Sequence, residues 1–331
     1  MKQVVLKHAL TDKPVAADFK LIDVAVPECP DKGVLVRVKH ISLDPYVGTR
    51  LRGQHMGEPA PEPGSGLVPG AVVGEVIESR SEHFGVGDHV HSMEGGWVET
   101  AALSSCDCQK IDPDSAPLDA YIGVLGMPGL TAWAGVTQLA DVKAGETFMV
   151  DAASGPVGAT AAQIAKVRGA ARTVGIAGGP EKCALATDRF GFDACLDYKA
   201  DGWENGLADA LPRGLDVHFE NVGDAMLALA MQKLNLYGRV VLCGLAGHYH
   251  GGPPAMTSVG MIVGKRAQMM GLVVYDYYDR WDEFRAEIAP HVKSGAIAYV
   301  HDEVHGLNNA SALMERLVRG RNVGKAVVTL P

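Results

Sequence analysis

The sequence predicts an α/β protein that combines a doubly wound parallel sheet with a second, mainly β domain, which the chain leaves and later re-enters. Its 331 residues exceed the length at which one hydrophobic core usually stops growing. The first third alternates apolar and polar residues, as half-buried strands do. From about Val124, short β-rich runs alternate with helical patterns, which is typical of parallel βαβ units.

In the first third, "GVLVRVKHIS" (33–42) and "VVGEVIES" (72–79) show the period of two expected of strands with one buried face. Between Gly53 and Gly70, nine of the eighteen residues are Gly or Pro. So many helix and strand breakers predict a long loop, which is a candidate lid.

The middle of the chain carries six strand candidates with helical patterns between them, as in a Rossmann sheet. They are "TFMVD" (147–151), "RTVGIA" (172–177), "ACLDY" (194–198), "LDVHFE" (215–220), "GRVVLCG" (238–244) and "MMGLVVY" (269–275).

After Gly295 the pattern returns to short strands, with "IAYVHDEV" (297–304), a helix at 309–320 and a last strand "KAVVTL". We therefore predict a discontinuous catalytic domain, 1–123 together with 296–331, around a dinucleotide-binding domain, 124–295. The uncharged stretch 120–140 contains glycines, a proline and polar residues, so it is interpreted as buried chain crossing between the domains and not as a membrane span.

Net charge and cysteine usage indicate which partners and which cellular compartment to expect. A formal charge of −9 argues against a general nucleic-acid or anionic-membrane surface. The six cysteines lack C-x-x-C spacing and the density of a disulfide scaffold, which indicates free thiols in a reducing cytoplasm. The first residues show no signal-peptide pattern, so secretion is not expected.

Residues 151–161, "DAASGPVGATA", nearly match the G-x-G-x-x-G loop that binds the pyrophosphate of a dinucleotide. Ala153 stands where the first glycine should be. A strand precedes the loop and a helical pattern follows it, with Gly155 placed for close backbone approach and Gly158 for helix–strand packing. Alanine is acceptable at the first position if its φ is negative. A strand–helix turn without a ligand is the less favoured alternative.

The residues after the second strand candidate of the middle region, 172–177, predict which dinucleotide binds. An NAD site usually has Asp or Glu there for the ribose 2′-hydroxyl. This chain has "GIAGGPEKC" (175–183), in which Gly178 and Gly179 offer space and Lys182 offers a positive charge. That combination favours a 2′-phosphate and hence NADPH. Glu181 is interpreted as a first-turn helix residue, and Lys182 could by itself be a surface lysine.

Several motifs together resemble one family, the zinc-independent branch of the medium-chain dehydrogenase/reductases that includes prostaglandin, alkenal and curcumin reductases. The resemblance covers nearly the whole chain and implies a GroES-like catalytic domain beside the Rossmann domain. The motifs are "SLDPYVGTR" (42–50), "GMPGLTAW" (126–133), "AASGPVG" (152–158), "GIAGGPEKC" (175–183), "FENVG" (219–223), "CGLAGHYH" (243–250) and "NVGKAVV" (322–328). In this family Ala153 is the expected residue.

The resemblance implies roles for particular residues. Lys182 and Tyr198 would bind the 2′-phosphate, Asn221 would lie along the cofactor, and residues 243–249 would cover its middle. Tyr46 and Tyr249 would face the substrate. The other cofactor-binding residues that it implies or that the loop supplies are Met127, Thr131, Ser154, Gly155, Pro156, Val157, Gly158, Gly178, Cys243, Gly244, Leu272, Val273, Val274 and Asn322. "GHYH" and "VGT" depart from the usual family residues, which leaves the substrate range open.

No metal site is predicted. Where zinc-using relatives have a His-Glu pair, this chain has "PGAVVGE", and its cysteines are too scattered for a structural site. "HVH" (89–91) places two histidines on one strand face without an evident third ligand, so both are expected to be exposed strand residues.

Without a Lewis acid, a conjugated double bond is an easier hydride acceptor than a plain alcohol is a hydride donor. The sequence therefore predicts NADPH-dependent reduction of the C=C bond of α,β-unsaturated aldehydes or ketones, with Tyr46 or Tyr249 as hydrogen-bond donor. A quinone reductase and a non-enzymatic cofactor-binding protein remain alternatives. The resemblance implies a homodimer.

Overall fold

The computed structural model describes residues 1–249 and 258–331. Its strands are β1 (Lys2–Leu6), β2 (Phe19–Asp23), β3 (Gly33–Ser42), β4 (Val72–Ser79), β5 (His89–Ser92), β6 (Thr100–Ser104), β7 (Cys108–Ile111), β8 (Thr147–Asp151), β9 (Arg172–Ala177), β10 (Ala194–Asp197), β11 (Leu215–Glu220), β12 (Leu234–Leu242), β13 (Gln268–Gly271), β14 (His301–His305) and β15 (Lys325–Thr329). Its α-helices are α1 (Val47–Arg50), α2 (Met127–Trp133), α3 (Pro156–Val167), α4 (Pro180–Ala184), α5 (Leu207–Ala210), α6 (Asp224–Lys233), α7 (Val259–Lys265), α8 (Trp281–Lys293) and α9 (Ala310–Val318).

The chain divides into two compact units. Unit 1 comprises Met1–Gly126 and Val300–Pro331, and unit 2 comprises Met127–Tyr299. Each unit has its own cluster of buried apolar side chains. The boundaries predicted after residues 123 and 295 lie three and four residues before those of the structure.

Unit 1 is built on a mainly antiparallel sheet in the order β14-β15-β3-β4-β5-β7, with β6 also pairing with β3. β1 and β2 form a separate hairpin. The loop predicted at 53–70 contains neither a helix nor an extended strand. The strand predicted at 297–304 begins later, at His301, where it pairs with Lys325. Ile297 instead closes the end of α8, because its N–H donates to the carbonyl oxygen of His291 at 3.0 Å.

The prediction that both histidines of "HVH" are exposed is wrong. The His91 side chain is fully buried and its Nδ1 lies 3.0 Å from Gln109 Oε1, while His89 is half-buried. β5 lies between β4 and β7 inside the sheet, so neither edge of this strand is open. The hydrogen bond to Gln109 offsets the cost of burying the polar ring.

Unit 2 contains the predicted doubly wound sheet. Within the described ranges its strands run in the order β10-β9-β8-β11-β12-β13, and all of the pairings are parallel. Counted from β8, this is the 3-2-1-4-5-6 order of a Rossmann sheet, so the predicted fold class is confirmed. β13 is shorter than predicted because residues Val274–Arg280 form a 3₁₀-helix. No helix among residues 1–249 and 258–331 is both long and apolar enough to cross a membrane.

Candidate cofactor site

The predicted phosphate-binding loop connects β8 to α3. Gly155 is the residue before the helix, with φ −80° and ψ 163°, and Pro156 is its first residue. The first backbone N–H groups of a helix have no partner within the helix and favour an anion. A Cβ at Gly158 would lie 2.6 Å from the carbonyl oxygen of Ala152. Because that oxygen belongs to the backbone, it could move away only if the loop itself shifted. Glycine is therefore required where the helix packs on the end of β8.

Ala153 fits its position for a reason that the sequence only partly anticipates. Its own φ is not positive; the left-handed conformation falls on Ala152, with φ 48°. The Ala153 side chain is fully buried, and a Cβ on Gly175 of β9 would come within 2.7 Å of the Ala153 Cβ. Gly175, on the neighbouring strand, thus leaves the space that the Ala153 methyl group occupies.

The end of β9 differs from the prediction in one respect. Gly178 does not leave open space, because a Cβ there would lie 2.8 Å from the ring of Tyr198. A side chain at 178 would require the Tyr198 ring, which is 45% exposed, to move. Gly179, with φ 107°, has no atom within 4 Å of an added Cβ. The absence of the NAD-type acid is therefore coupled to the presence of Tyr198.

Asp197, which was not predicted from the sequence, shapes this turn. Its Oδ1 accepts hydrogen bonds from the backbone N–H groups of Gly179 at 2.7 Å and Lys199 at 2.9 Å. Lys182 lies half-buried in α4, and Glu181 occupies the first turn of that helix as predicted. An aspartate followed by a turn is too common a pattern to identify this role from the sequence.

The loops after β11 and β12 are joined by backbone hydrogen bonds. The N–H of Cys243 donates to the carbonyl oxygen of Glu220 at 2.9 Å, and the N–H of Ala246 donates to that of Asn221, also at 2.9 Å. A Cβ at Gly244 would lie 3.0 Å from the Asn221 oxygen and 3.3 Å from Tyr249 Oη. Asn221, from "FENVG", is thus brought together with Gly244 and Tyr249, from "CGLAGHYH". His250, the last residue of "CGLAGHYH", lies outside the described residues.

Burial sets the protonation of two side chains in this loop. It raises the pKa of Tyr249 above its usual value, although the N–H of Leu245 donates to the phenol oxygen and opposes the shift. Tyr249 is therefore a neutral hydrogen-bond donor at physiological pH. Burial raises the pKa of Cys243 to about 12. Its thiol is not a nucleophile at neutral pH.

The remaining predicted residues of unit 2 lie near its first helix and last strand. Met127 begins α2, and Thr131 Oγ1 donates to the Met127 carbonyl oxygen at 2.7 Å. Leu272 follows β13 and is buried, while Val273 is 40% exposed and Val274 begins the 3₁₀-helix.

Tyr46 and Asn322 belong to unit 1. Tyr46 immediately precedes α1, and its ring packs against that of His55 with a centroid distance of 5.0 Å. Thr49 Oγ1 donates to the Tyr46 carbonyl oxygen at 2.6 Å and lies 3.4 Å from His55 Nδ1. The sequence did not single out His55, because a histidine in a Gly/Pro-rich loop carries no periodic signal. Asn322 Nδ2 donates to the Gly324 carbonyl oxygen at 2.8 Å.

Asp151, His218 and Glu220 form a fully buried polar cluster at the carboxyl ends of β8 and β11. His218 Nε2 lies 3.0 Å from Glu220 Oε2. Burial raises the pKa of Asp151 well above its usual value. Burial alone would also raise the pKa of Glu220, but hydrogen bonds from Asp151 and His218 outweigh it and hold that pKa below the ordinary range. The alternation in "LDVHFE" places His218 and Glu220 on one face and was the available signal.

These observations define the class as a dinucleotide-binding α/β protein, and comparisons with known proteins narrow it. Residues 2–111 match the family model described as the N-terminal domain of oxidoreductase, and residues 156–290 match the zinc-binding dehydrogenase model. The chain is 38% identical to an NADP(+)-dependent 2-alkenal reductase of Nicotiana tabacum, covering 99% of this chain and 96% of that protein. It is 37% identical to the NADPH-dependent curcumin reductase of Escherichia coli, covering 95% and 92%.

Among solved structures, the complex of CurA with NADPH from Vibrio vulnificus superposes with a TM-score of 0.90 at 33% identity, covering 100% of this chain and 99% of that one. The chain belongs to the medium-chain dehydrogenase/reductase family, in the branch of alkenal, curcumin and prostaglandin reductases. The resemblance inferred from the motifs is confirmed.

The residues present do not fit the zinc that the name of one family model suggests. Within the described part of the chain, one group of His, Cys, Asp and Glu side chains has its possible ligand atoms within 4.8 Å of one another, and it is the buried cluster Asp151, His218 and Glu220. A catalytic zinc keeps a coordination position open to water or substrate. All three side chains are completely buried and already bonded to one another, so no such position exists.

Proposed function

We propose that the protein is an NADPH-dependent reductase that transfers hydride to the β-carbon of α,β-unsaturated aldehydes or ketones. The choice of cofactor rests on the end of β9, where Gly178 stands in place of an NAD-type acid, the Tyr198 ring lies beside it and Lys182 follows in α4. The cofactor is NADPH, which supplies the hydride when bound. The loop at 153–158 holds its pyrophosphate, because it ends at the start of α3, whose first N–H groups have no partner within the helix.

The chemistry on the enzyme side is hydrogen bonding to the carbonyl oxygen of the substrate. Hydride addition to the β-carbon moves negative charge onto that oxygen, and a donor aimed at the charge lowers the barrier. A neutral tyrosine is such a donor, and burial keeps Tyr249 in this form. The α-carbon is then protonated, so the net result is addition of a hydride and a proton across the C=C bond.

The activity is tested by following NADPH consumption against 2-alkenals, aryl enones, long-chain lipid enones and quinones, with analysis of the products. Saturated aldehydes or ketones with the carbonyl intact support the proposal. Consumption with quinones alone would make it a quinone reductase. Tight NADPH binding without turnover of any acceptor would contradict an enzymatic role.

Tyr46→Phe and Tyr249→Phe are each expected to lower kcat by roughly tenfold, a smaller loss than for an essential oxyanion donor, because each tyrosine is proposed to assist the reaction. The double variant should lose more than either single one. Tyr121→Phe is the matched control, since the Tyr121 hydroxyl donates to the Asp112 carbonyl oxygen at 2.8 Å within unit 1. Full kcat in the double variant would remove tyrosine from the mechanism.

We also propose that the protein is cytoplasmic and forms a homodimer through one edge of unit 2. β13 pairs with β12 alone among the described strands, so its other edge is unpaired. In the neighbouring α7, Val259 and Val263 are 72% and 71% exposed. An unpaired strand edge and exposed apolar side chains each favour association, and a two-fold axis would pair the same edge in both copies.

Val259→Glu combined with Val263→Glu is expected to convert a dimer into a monomer, as measured by light scattering after size exclusion. Val86→Glu is the control, because Val86 is similarly exposed, at 70%, but lies in unit 1. A wild-type protein that is monomeric, or a dimer that survives both glutamates, would contradict the proposed interface.

A further inference from the structure

The buried carboxyl pair of unit 2 lies directly beneath the turn that follows β11. Asp151 Oδ1 accepts a hydrogen bond from the backbone N–H of Asn221 at 2.6 Å, and the Asp151 carbonyl oxygen accepts one from Asn221 Nδ2 at 3.1 Å. Glu220 Oε1 accepts from the N–H groups of Val222 at 2.7 Å and Gly223 at 2.6 Å. The two carboxyl groups thus hold three consecutive backbone N–H groups of the turn.

A carboxyl oxygen of Asp151 and one of Glu220 lie within 4.8 Å of each other. Asp151 Oδ2 is buried and has no N–H partner among residues 1–249 and 258–331, and Asp151 is hydrogen-bonded to Glu220. Two carboxylates cannot form a hydrogen bond unless one of them carries a proton. Glu220 already accepts from Val222, Gly223 and His218, whereas Asp151 accepts from Asn221. The acid with fewer donors around it retains the proton, so Asp151 is the neutral donor and Glu220 is the carboxylate.

The turn held by the pair is continuous with the second loop of the site. The N–H of Ala246 donates to the Asn221 oxygen, and the N–H of Gly247 donates to the Val222 oxygen at 3.1 Å. A Cβ on Gly223 would lie 2.9 Å from the His248 ring. A displacement of the turn must therefore be transmitted to residues 243–249.

We infer that Asp151 and Glu220 are positioning residues of the cofactor site: the neutral Asp151 carboxyl donates to the Glu220 carboxylate, and together they fix residues 221–223 and, through them, the loop 243–249. This inference rests on the proposed function, because it assigns these two loops to NADPH. The sheet order puts β9 and β10 on one side of β8 and β11 and β12 on the other. A dinucleotide bound across β8 has its adenosine on the first side and its nicotinamide on the second.

The test measures dissociation constants for NADPH and for adenosine 2′,5′-bisphosphate, which carries only the adenosine half. Asp151→Asn keeps an acceptor for Asn221 and a donor for Glu220, so NADPH should bind within about twofold of wild type. Asp151→Ala removes both, and NADPH should bind about tenfold more weakly, equivalent to about 1.4 kcal/mol, while the bisphosphate binds within about twofold. Glu220→Gln places an amide donor where Glu220 accepts from His218 and should weaken NADPH at least as much as Asp151→Ala.

Asp216→Ala is the matched control for a merely structural effect. Asp216 also lies on β11 and bonds β8, since its Oδ2 accepts from the Thr147 N–H at 2.8 Å, but it does so at the opposite end of the strands. This variant should lower the thermal midpoint without changing the affinity for NADPH. If Glu220→Gln does not fold, the inference is tested by comparing the NADPH dissociation constants of Asp151→Asn and Asp151→Ala.

The outcomes separate this inference from the function on which it rests. A wild-type protein that fails to bind NADPH contradicts the proposed function. The inference itself is overturned if wild type binds NADPH and Asp151→Ala binds it equally well, or loses both ligands to the same extent. Equal weakening by Asp151→Asn and Asp151→Ala would show that the charge of Asp151 is required, which contradicts a neutral donor.

Discussion

Replacing Lys325 by methionine is expected to lower the free energy of unfolding by about 3–5 kcal/mol, the usual cost of leaving one buried charge without its partner. Lys325 Nζ donates to Asp44 Oδ1 at 2.9 Å and to the Leu43 carbonyl oxygen at 2.6 Å, and the two charged side chains are 3% and 7% exposed. The Ser42 hydroxyl donates to the other oxygen of Asp44. Urea unfolding followed by circular dichroism measures the loss.

Two further variants isolate the cause. Lys325→Met combined with Asp44→Asn should recover part of the stability, because no buried charge remains unpaired. Lys2→Met is the control, since Lys2 and Asp23 form an exposed ion pair in the same unit and its removal should cost about 0–1 kcal/mol. Similar losses for Lys325→Met and Lys2→Met would contradict the expected cost of leaving a buried charge without its partner.

Replacing Lys182 by alanine is expected to reduce kcat/KM for NADPH by roughly 10- to 150-fold while leaving that for NADH nearly unchanged. The factor corresponds to the roughly 1.5–3 kcal/mol of a charge-assisted hydrogen bond to the 2′-phosphate. NADH lacks that phosphate and so loses nothing when the lysine is removed. Initial rates with one enone and varied cofactor give both constants.

Lys199→Ala is the matched control for Lys182. Lys199 is exposed and directly follows Tyr198, so its removal changes the local charge by the same amount. If attraction of the phosphate by overall charge were the cause, both variants would lose NADPH preference equally. An unchanged ratio of NADPH to NADH efficiency in Lys182→Ala would contradict the assignment of this lysine.

The strands of unit 2 were predictable because each is a short β-rich run between helical patterns, and a parallel sheet buries both faces of such runs. The glycine positions of the phosphate loop were predictable for a similar reason, since they depend on a turn of a few residues. His91 and the start of β14 were predicted wrongly. In both cases the outcome depends on the neighbouring strand, which local periodicity does not specify.

In the cofactor site, too, local features were predictable and contacts between different elements were not. Gly178 was recognised as a departure from an NAD site, but that the ring of Tyr198 occupies the adjacent space depends on how β10 lies beside β9. Asp197 and His55 were missed because each acts on a residue brought near by a turn. Their residue types carry no spacing that distinguishes them from ordinary loop residues.

Local sequence patterns were sufficient to predict the six strands of the parallel sheet, the glycine-rich loop, the absence of an acid after β9 and the family. These features are local, since each depends on the types and spacing of residues that are close together in the sequence. Which polar groups are buried together depends on contacts between distant parts of the chain, as with Asp151 and Asn221, 70 residues apart, or Asp44 and Lys325, 281 residues apart. Protonation, charge pairing and loop position depend on such contacts, because burial alters the energy of a charge far more than its sequence neighbours do.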